Sequence, residues 1–110
     1  MFYYDYYMRG CFYQDLATIP TLQQQKAQLI DLRSNTAFEH AHIPGFINIP
    51  YSQIYQQFQY IDKRYPVYFL CDNGQKSKIV ASDLCAHGYQ AYSFIGGYNH
   101  YHYQPDQSLY

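Results

Sequence analysis

Val67-Tyr68-Phe69-Leu70-Cys71-Asp72-Asn73-Gly74-Gln75-Lys76-Ser77 is the stretch on which the reading of this chain turns. Four apolar, β-favouring residues form the strongest strand pattern in the sequence. The strand stops at Cys71, because Asp72-Asn73-Gly74-Gln75 cannot continue it, and Lys76 or Ser77 opens a helix. A parallel strand delivers its last residue to the carboxyl edge of the sheet, where open α/β folds place their sites. The backbone N–H groups of such a loop converge into an anion nest, and the following helix N-terminus adds partial positive charge. A cysteine held there is favoured as a thiolate nucleophile. Gly74 allows a backbone angle closed to other residues, Lys76 adds a full positive charge, and the Ser77 hydroxyl can donate to an anion. An inert, buried Cys71 followed by an ordinary loop is the plain alternative, but the six residues after it fit the reactive design.

Around this unit, strand and helix patterns alternate, which predicts an α/β class with a mostly parallel sheet. Upstream, Leu29-Ile30-Asp31-Leu32-Arg33 reads as a buried parallel strand. Ser34 or Asn35 caps a helix over residues 36–41 with Phe38 facing inward, and His42-Ile43-Pro44-Gly45 is a turn. Residues 47–49 form a short strand, and residues 52–59 place Ile54, Tyr55 and Phe58 at helical spacing. Nearer the start, residues 13–19 read as one or two helical turns ending at Pro20, followed by a Gln-rich short helix or loop. Downstream, the helix after the loop carries Ile79, Val80, Leu84 and Cys85 on one face and ends at Gly88. Residues 91–95 form a strand closed by Gly96-Gly97, and a final helix is placed near residues 98–103.

The whole chain has 110 residues, enough for one domain with a core but not for two. A hydrophobic fraction of 48% and a net charge of −1 exclude a disordered tail. Seven scattered Lys and Arg residues leave too few cations for a general nucleic-acid binder. Three cysteines, Cys11, Cys71 and Cys85, form no CxxC pair, so neither a disulfide framework nor a zinc site is expected, and the simplest compartment is the reducing cytoplasm. No apolar run is long enough to span a membrane. His40, His87, His100 and His102 match no compact metal spacing, so no metal and no organic cofactor are expected.

The loop at Cys71 resembles the C-x-x-G-x-[RK]-S active-site loop of the rhodanese-like sulfurtransferases. Other landmarks agree in order: Asp31-Leu32-Arg33, the stretch Phe38 to Gly45 approximately, Asn48-Ile49-Pro50, Gly88-Tyr89 and Gly96-Gly97. The resemblance implies a single rhodanese-like domain, with a central sheet of about five strands and helices on both faces. Its span is placed at residues 13–103, between an aromatic arm over residues 1–12 and a tail over residues 104–110. The implied reaction moves sulfane sulfur from a small donor, thiosulfate or a persulfide, through a Cys71 persulfide to a thiol or protein acceptor. Asp72, Asn73, Gly74, Gln75, Lys76 and Ser77 are the implied anion-binding loop. Asp31, Arg33 and His42 are read as structural support, Cys85 as core, and Tyr101 as core packing near a position where the family often has Trp.

Two departures bear on the donor. Lys76 stands where Arg is common and lacks its bidentate geometry, and Asp72 adds negative charge beside a site for anions. Both weigh against thiosulfate more than against persulfide chemistry. A rhodanese-fold binding module without turnover is the second reading. A phosphatase or arsenate reductase of related fold is the third, disfavoured because five residues and no Arg separate Cys71 from Ser77.

The composition is most unusual in its sixteen Tyr and thirteen Gln. Eight of the tyrosines fall at the ends, Tyr3, Tyr4, Tyr6 and Tyr7 at the start and Tyr98, Tyr101, Tyr103 and Tyr110 at the finish, and are expected outside the core. Such a near-neutral surface favours self-association. The tyrosine cluster followed by Arg9 reads as a packing arm or as the water-side stub of a membrane anchor. Deleting residues 1–9 is expected to leave sulfur loading of Cys71 intact, as measured by intact mass; loss of loading in a deletion that still folds would tie the arm to the site.

Overall fold

The computed structural model describes residues 13–102. Five strands, β1 (Tyr13–Gln14), β2 (Gln28–Asp31), β3 (Ile47–Asn48), β4 (Val67–Leu70) and β5 (Ala91–Phe94), form one sheet. Its order is β1-β5-β4-β2-β3 and every pairing is parallel. The helices are α1 (Ile19–Gln24), α2 (Asn35–His40), α3 (Tyr51–Gln57), α4 (Gln75–Ala86) and α5 (Gly97–His102), with 3-10 turns at Leu16–Thr18 and Phe58–Tyr60.

Period-two alternation divides the core between the two faces of the sheet. Val67, Phe69 and Cys71 join Ile30, Ile54, Val80, Leu84 and Ala91 in one cluster, under α3 and α4. Leu70, Leu29 and Phe94 join Leu16, Ile19, Leu22, Ile43 and Phe46 in the other, under α1. Phe38 of α2 and Tyr98 and Tyr101 of α5 pack against that second cluster. Helices therefore cover both faces, as expected for a parallel sheet buried on each side. The same alternation aims Cys71 at the α4 face, because it is two residues beyond Phe69.

Several local expectations are corrected. Residues 13–14 are an edge strand rather than helix, held by pairing Tyr13 with Ser93 and Gln14 with Phe94. Pro20 does not end a helix but sits in the first turn of α1, where its missing N–H has no intrahelical partner to lose. Helix α4 begins at Gln75, one residue earlier than expected, because Gly74 takes the N-cap position at φ 92. Ile79 is exposed, and α4 buries Ser77, Val80, Ala81, Leu84 and Cys85 instead. Tyr55 is also exposed; its hydroxyl donates to Asp83 across to α4 at 2.6 Å. Partial burial, then that hydrogen bond, pushes the Tyr55 hydroxyl above its ordinary range. Tyr98 and Tyr101 face the core, against the placement of the terminal tyrosines outside it and in line with a packing role for Tyr101. The remaining end tyrosines, Cys11 and the expected arm and tail lie outside the described residues.

Asp31 and Arg33 tie the end of β2 to its surroundings. Both are buried, and the Arg33 guanidinium donates to both Asp31 carboxylate oxygens at 2.9–3.1 Å. Arg33 also donates to the Ala41 carbonyl, and its guanidinium carbon lies 3.7 Å from the centre of the Tyr98 ring. The Asn48 amide donates to the carbonyls of Asp31 and Arg33, clamping β3 to the same turn. His42 is exposed; its Nδ1 bonds the Phe38 carbonyl at 2.8 Å and its ring stacks on Phe38. Arg33→Ala would leave the Asp31 carboxylate buried without its ion partner, keeping only the bond from the residue-33 backbone amide, at an expected cost of about 3 kcal/mol in urea unfolding. A loss below about 1 kcal/mol would show the pair to be no stronger than a surface bridge.

Candidate active site

Cys71 follows directly on β4 and is 2% exposed. Its sulfur accepts hydrogen bonds from the backbone amides of Gly74 and Ser77, each at 3.2 Å. The Ser77 hydroxyl lies 3.3 Å from the same sulfur. Two amide donors aimed at one atom suit an anion on sulfur, because each presents positive charge without needing to move, and the Ser77 hydroxyl, which accepts from the neutral thiol, can turn its proton to an anionic sulfur. The first turn of the twelve-residue helix α4 provides the Ser77 amide, and the left-handed angle at Gly74 turns its own amide inward.

The loop is held from behind by the turn into α5. The amide of Tyr98 donates to the Cys71 carbonyl at 2.7 Å and that of Asn99 to the Asp72 carbonyl at 2.9 Å. This close approach needs Gly97: a Cβ there would sit well inside contact distance of the Cys71 carbonyl oxygen and of the Asp72 carbonyl group. Gly74 in turn lies against the Gly96 amide, 3.2 Å from where its own Cβ would be.

The remaining loop residues divide into those at the sulfur and those around it. The Asn73 side chain accepts from the Gln75 amide at 3.0 Å, so that amide is spent within the loop. Asp72 and Gln75 are exposed. Lys76 is exposed too, and its ammonium lies 5.2 Å from the centre of the Tyr51 ring, a cation–π contact rather than a bond to the sulfur. A groove beside it is lined by Leu32, Ser34, Asn35, Tyr51, Gln53 and Lys76. Asp31, Arg33 and His42 make the bonds described above and none of those reaches the sulfur. Cys85 is buried, with its sulfur 3.5 Å from the Ala91 carbonyl. Among the described residues, no three His, Cys, Asp or Glu side chains gather where a metal could be held. No described helix is long and apolar enough to cross a membrane.

One residue at the site escaped sequence reasoning. Ser93 of β5 is buried, and its hydroxyl lies 2.6 Å from that of Ser77. The available signal was the alternation of β5, which puts Ser93 on the same face as Ala91 and so beneath α4.

The rhodanese-like domain family profile matches residues 18–104. The chain belongs to the rhodanese-like family. It is 41% identical over 75 residues to the uncharacterized protein YqhL of Bacillus subtilis, covering 67% of this chain and 60% of that protein. It is 35% identical over 78 residues to the thiosulfate sulfurtransferase GlpE of Tolumonas auensis, covering 70% of this chain and 74% of that one. Among solved structures, Bacillus anthracis CoADR-RHD aligns with a TM-score of 0.77 at 22% identity, over 86% of this chain and 17% of that one. At that identity the likeness shows the fold. The expectation of a rhodanese-like, α/β, parallel-sheet domain is thus met, and the family has sulfurtransferases among its members.

Gly97→Ala is expected to displace the loop, because the left-handed φ of 65 and the Cys71 carbonyl both oppose a side chain. Thermal unfolding should fall and alkylation of Cys71 should slow together. An unchanged alkylation rate would show that the loop does not depend on the α5 turn.

Proposed function

We propose that this protein is a sulfurtransferase that carries sulfane sulfur as a persulfide on Cys71. The observation that carries the reading is the pair of amides, from Gly74 and Ser77, on one buried sulfur at the carboxyl edge of the sheet. In the first step the Cys71 thiolate attacks the outer sulfur of a donor. With thiosulfate, a bond forms between the two sulfurs, the donor's S–S bond breaks, and sulfite leaves with the electron pair. The product, Cys71–S–S⁻, is anionic, and the same loop donors that suit a thiolate suit it. In the second step a thiolate acceptor attacks the terminal sulfur, takes it as a new persulfide, and returns Cys71 as thiolate. Cyanide acts likewise and leaves as thiocyanate. No metal or organic cofactor enters either step.

Asp72, Asn73, Gly74, Gln75, Lys76 and Ser77 frame the anion in this reading, with unequal shares. Gly74 and Ser77 act through their amides, Asn73 shapes the loop, and Asp72 holds it to α5 through its carbonyl. Lys76, engaged with Tyr51, contributes long-range charge at the border of the groove rather than a direct grip on an oxyanion. That arrangement favours a persulfide or polysulfide donor over thiosulfate. Incubation with polysulfide should add one sulfur to the intact mass, reversed by a thiol reductant and absent in Cys71→Ser. Failure of both polysulfide and thiosulfate to load the folded protein would leave a binding module as the function.

A further inference from the structure

We propose that Ser93 is a positioning residue for the sulfur site, acting through Ser77 to set the direction of the Ser77 hydroxyl proton. Its bearing on sulfur transfer rests on the reading of Cys71 as the sulfur carrier. The arrangement of hydroxyls can be tested apart from it.

Three groups compete for the Ser77 hydroxyl. It lies 3.3 Å from the Cys71 sulfur, 3.3 Å from the Gly74 carbonyl oxygen and 2.6 Å from the Ser93 hydroxyl. A hydroxyl has one proton to give and two lone pairs with which to accept. Both serines are buried, Ser77 at 0% and Ser93 at 2% exposure, so bulk water does not settle the competition. An anionic sulfur only accepts, so Ser77 serves it by donating. Ser93 then donates to the Ser77 oxygen, and both protons point toward the sulfur. A neutral thiol instead donates its S–H to Ser77, whose proton turns to the Gly74 carbonyl or to Ser93.

Both arrangements keep the 2.6 Å contact and, apart from the proton on sulfur, differ only in the directions of hydroxyl protons. Ser93 favours the first because it is a buried donor whose hydrogen-bond partner, among the described residues, is Ser77. Hydrogen bonds in such a chain polarise one another, so the Ser93 donation strengthens the one that Ser77 makes to the sulfur. Without the Ser93 hydroxyl that support is lost, and the Ser77 donation to the anion weakens against the competing Gly74 carbonyl. The sheet explains how the contact is made. Ser93 is paired with Phe69 in the β4–β5 register, two residues before Cys71, and points to the same face.

The test is the pH profile of iodoacetamide alkylation at Cys71, followed by peptide mass to separate it from Cys11 and Cys85, in the full chain. Ser93→Ala should move the profile to higher pH and slow alkylation near neutrality about fivefold, the effect of losing one modest hydrogen bond. Ser93→Thr, which keeps the hydroxyl and suits a strand, should restore the original profile. The charged and titratable groups around the loop stay the same in all three proteins: Asp72, Lys76 and Tyr51 at its border, Asp31, Arg33, Tyr98 and His100 behind it, and Cys85 in the same cluster. A folded Ser93→Ala with an unshifted profile would overturn the proposal. So would equal shifts in Ala and Thr, which would indicate packing rather than the hydroxyl. If Ser93→Ala does not fold, the hydroxyl proton resonances of Ser77 and Ser93 in the unsubstituted protein replace it. They should move when Cys71 passes from thiol to anion, and fixed resonances would contradict the proposal. Alkylation requires no sulfur donor, so failure of sulfur loading and failure of this inference are read separately.

Discussion

Cys71 is gripped at both ends: its sulfur accepts from the Gly74 and Ser77 amides, and its carbonyl accepts from the Tyr98 amide. A loop of polar residues leaving a strand has many conformations, and fixing each residue in one costs about 1–2 kcal/mol of backbone entropy. Here the cost is met by joining the loop to two helices at once. Helix α4 starts from it and α5 docks behind it. The three glycines at the junction, Gly74, Gly96 and Gly97, all have positive φ. They let three backbone segments approach where side chains would hold them apart.

That constraint links the sulfur to parts of the chain far from it. Tyr98, which supplies the amide behind Cys71, also lies against the Arg33 guanidinium. Arg33 is fixed by Asp31 at the end of β2, and Asn48 of β3 bonds the carbonyls of both. The buried pair therefore supports the far side of the sheet edge from which the site is built. Neither charge is needed at the sulfur for this. A pair that cost its desolvation and gave only stability could be replaced by apolar side chains. Here it also sets the turn that receives α2, through Ala41, and the seat of α5, through Tyr98.

Much of this was legible in the chain. The run Val67 to Leu70 could be read as a buried strand because all four residues are apolar, and Cys71 could be placed at its end because Asp72 and Gly74 break the pattern. The order of landmarks then gave the family without any geometry. What could not be read depended on distant partners. The strand at Tyr13–Gln14 is two residues long and exists only through its pairing with β5. Ile79 and Tyr55 fit a helical stripe but fall at its margin, where the neighbouring surface decides burial. Lys76 belongs to the loop by its position, but its contact with the ring of Tyr51 depends on another helix. Ser93 carries no motif, and its contact with Ser77, sixteen residues earlier, follows from strand parity combined with the first turn of a helix that begins at Gln75.

The proposed carriage of sulfur on Cys71 is tested most directly by where an added sulfur resides. Amide proton and nitrogen shifts of the full chain, recorded before and after polysulfide loading and again after reduction, would show it. Sulfur carried on Cys71 should produce large, reversible movements at Gly74 and Ser77, with little change at Ala91 beside Cys85. Sulfur added to the protein while the Gly74 and Ser77 amides stay fixed would contradict it.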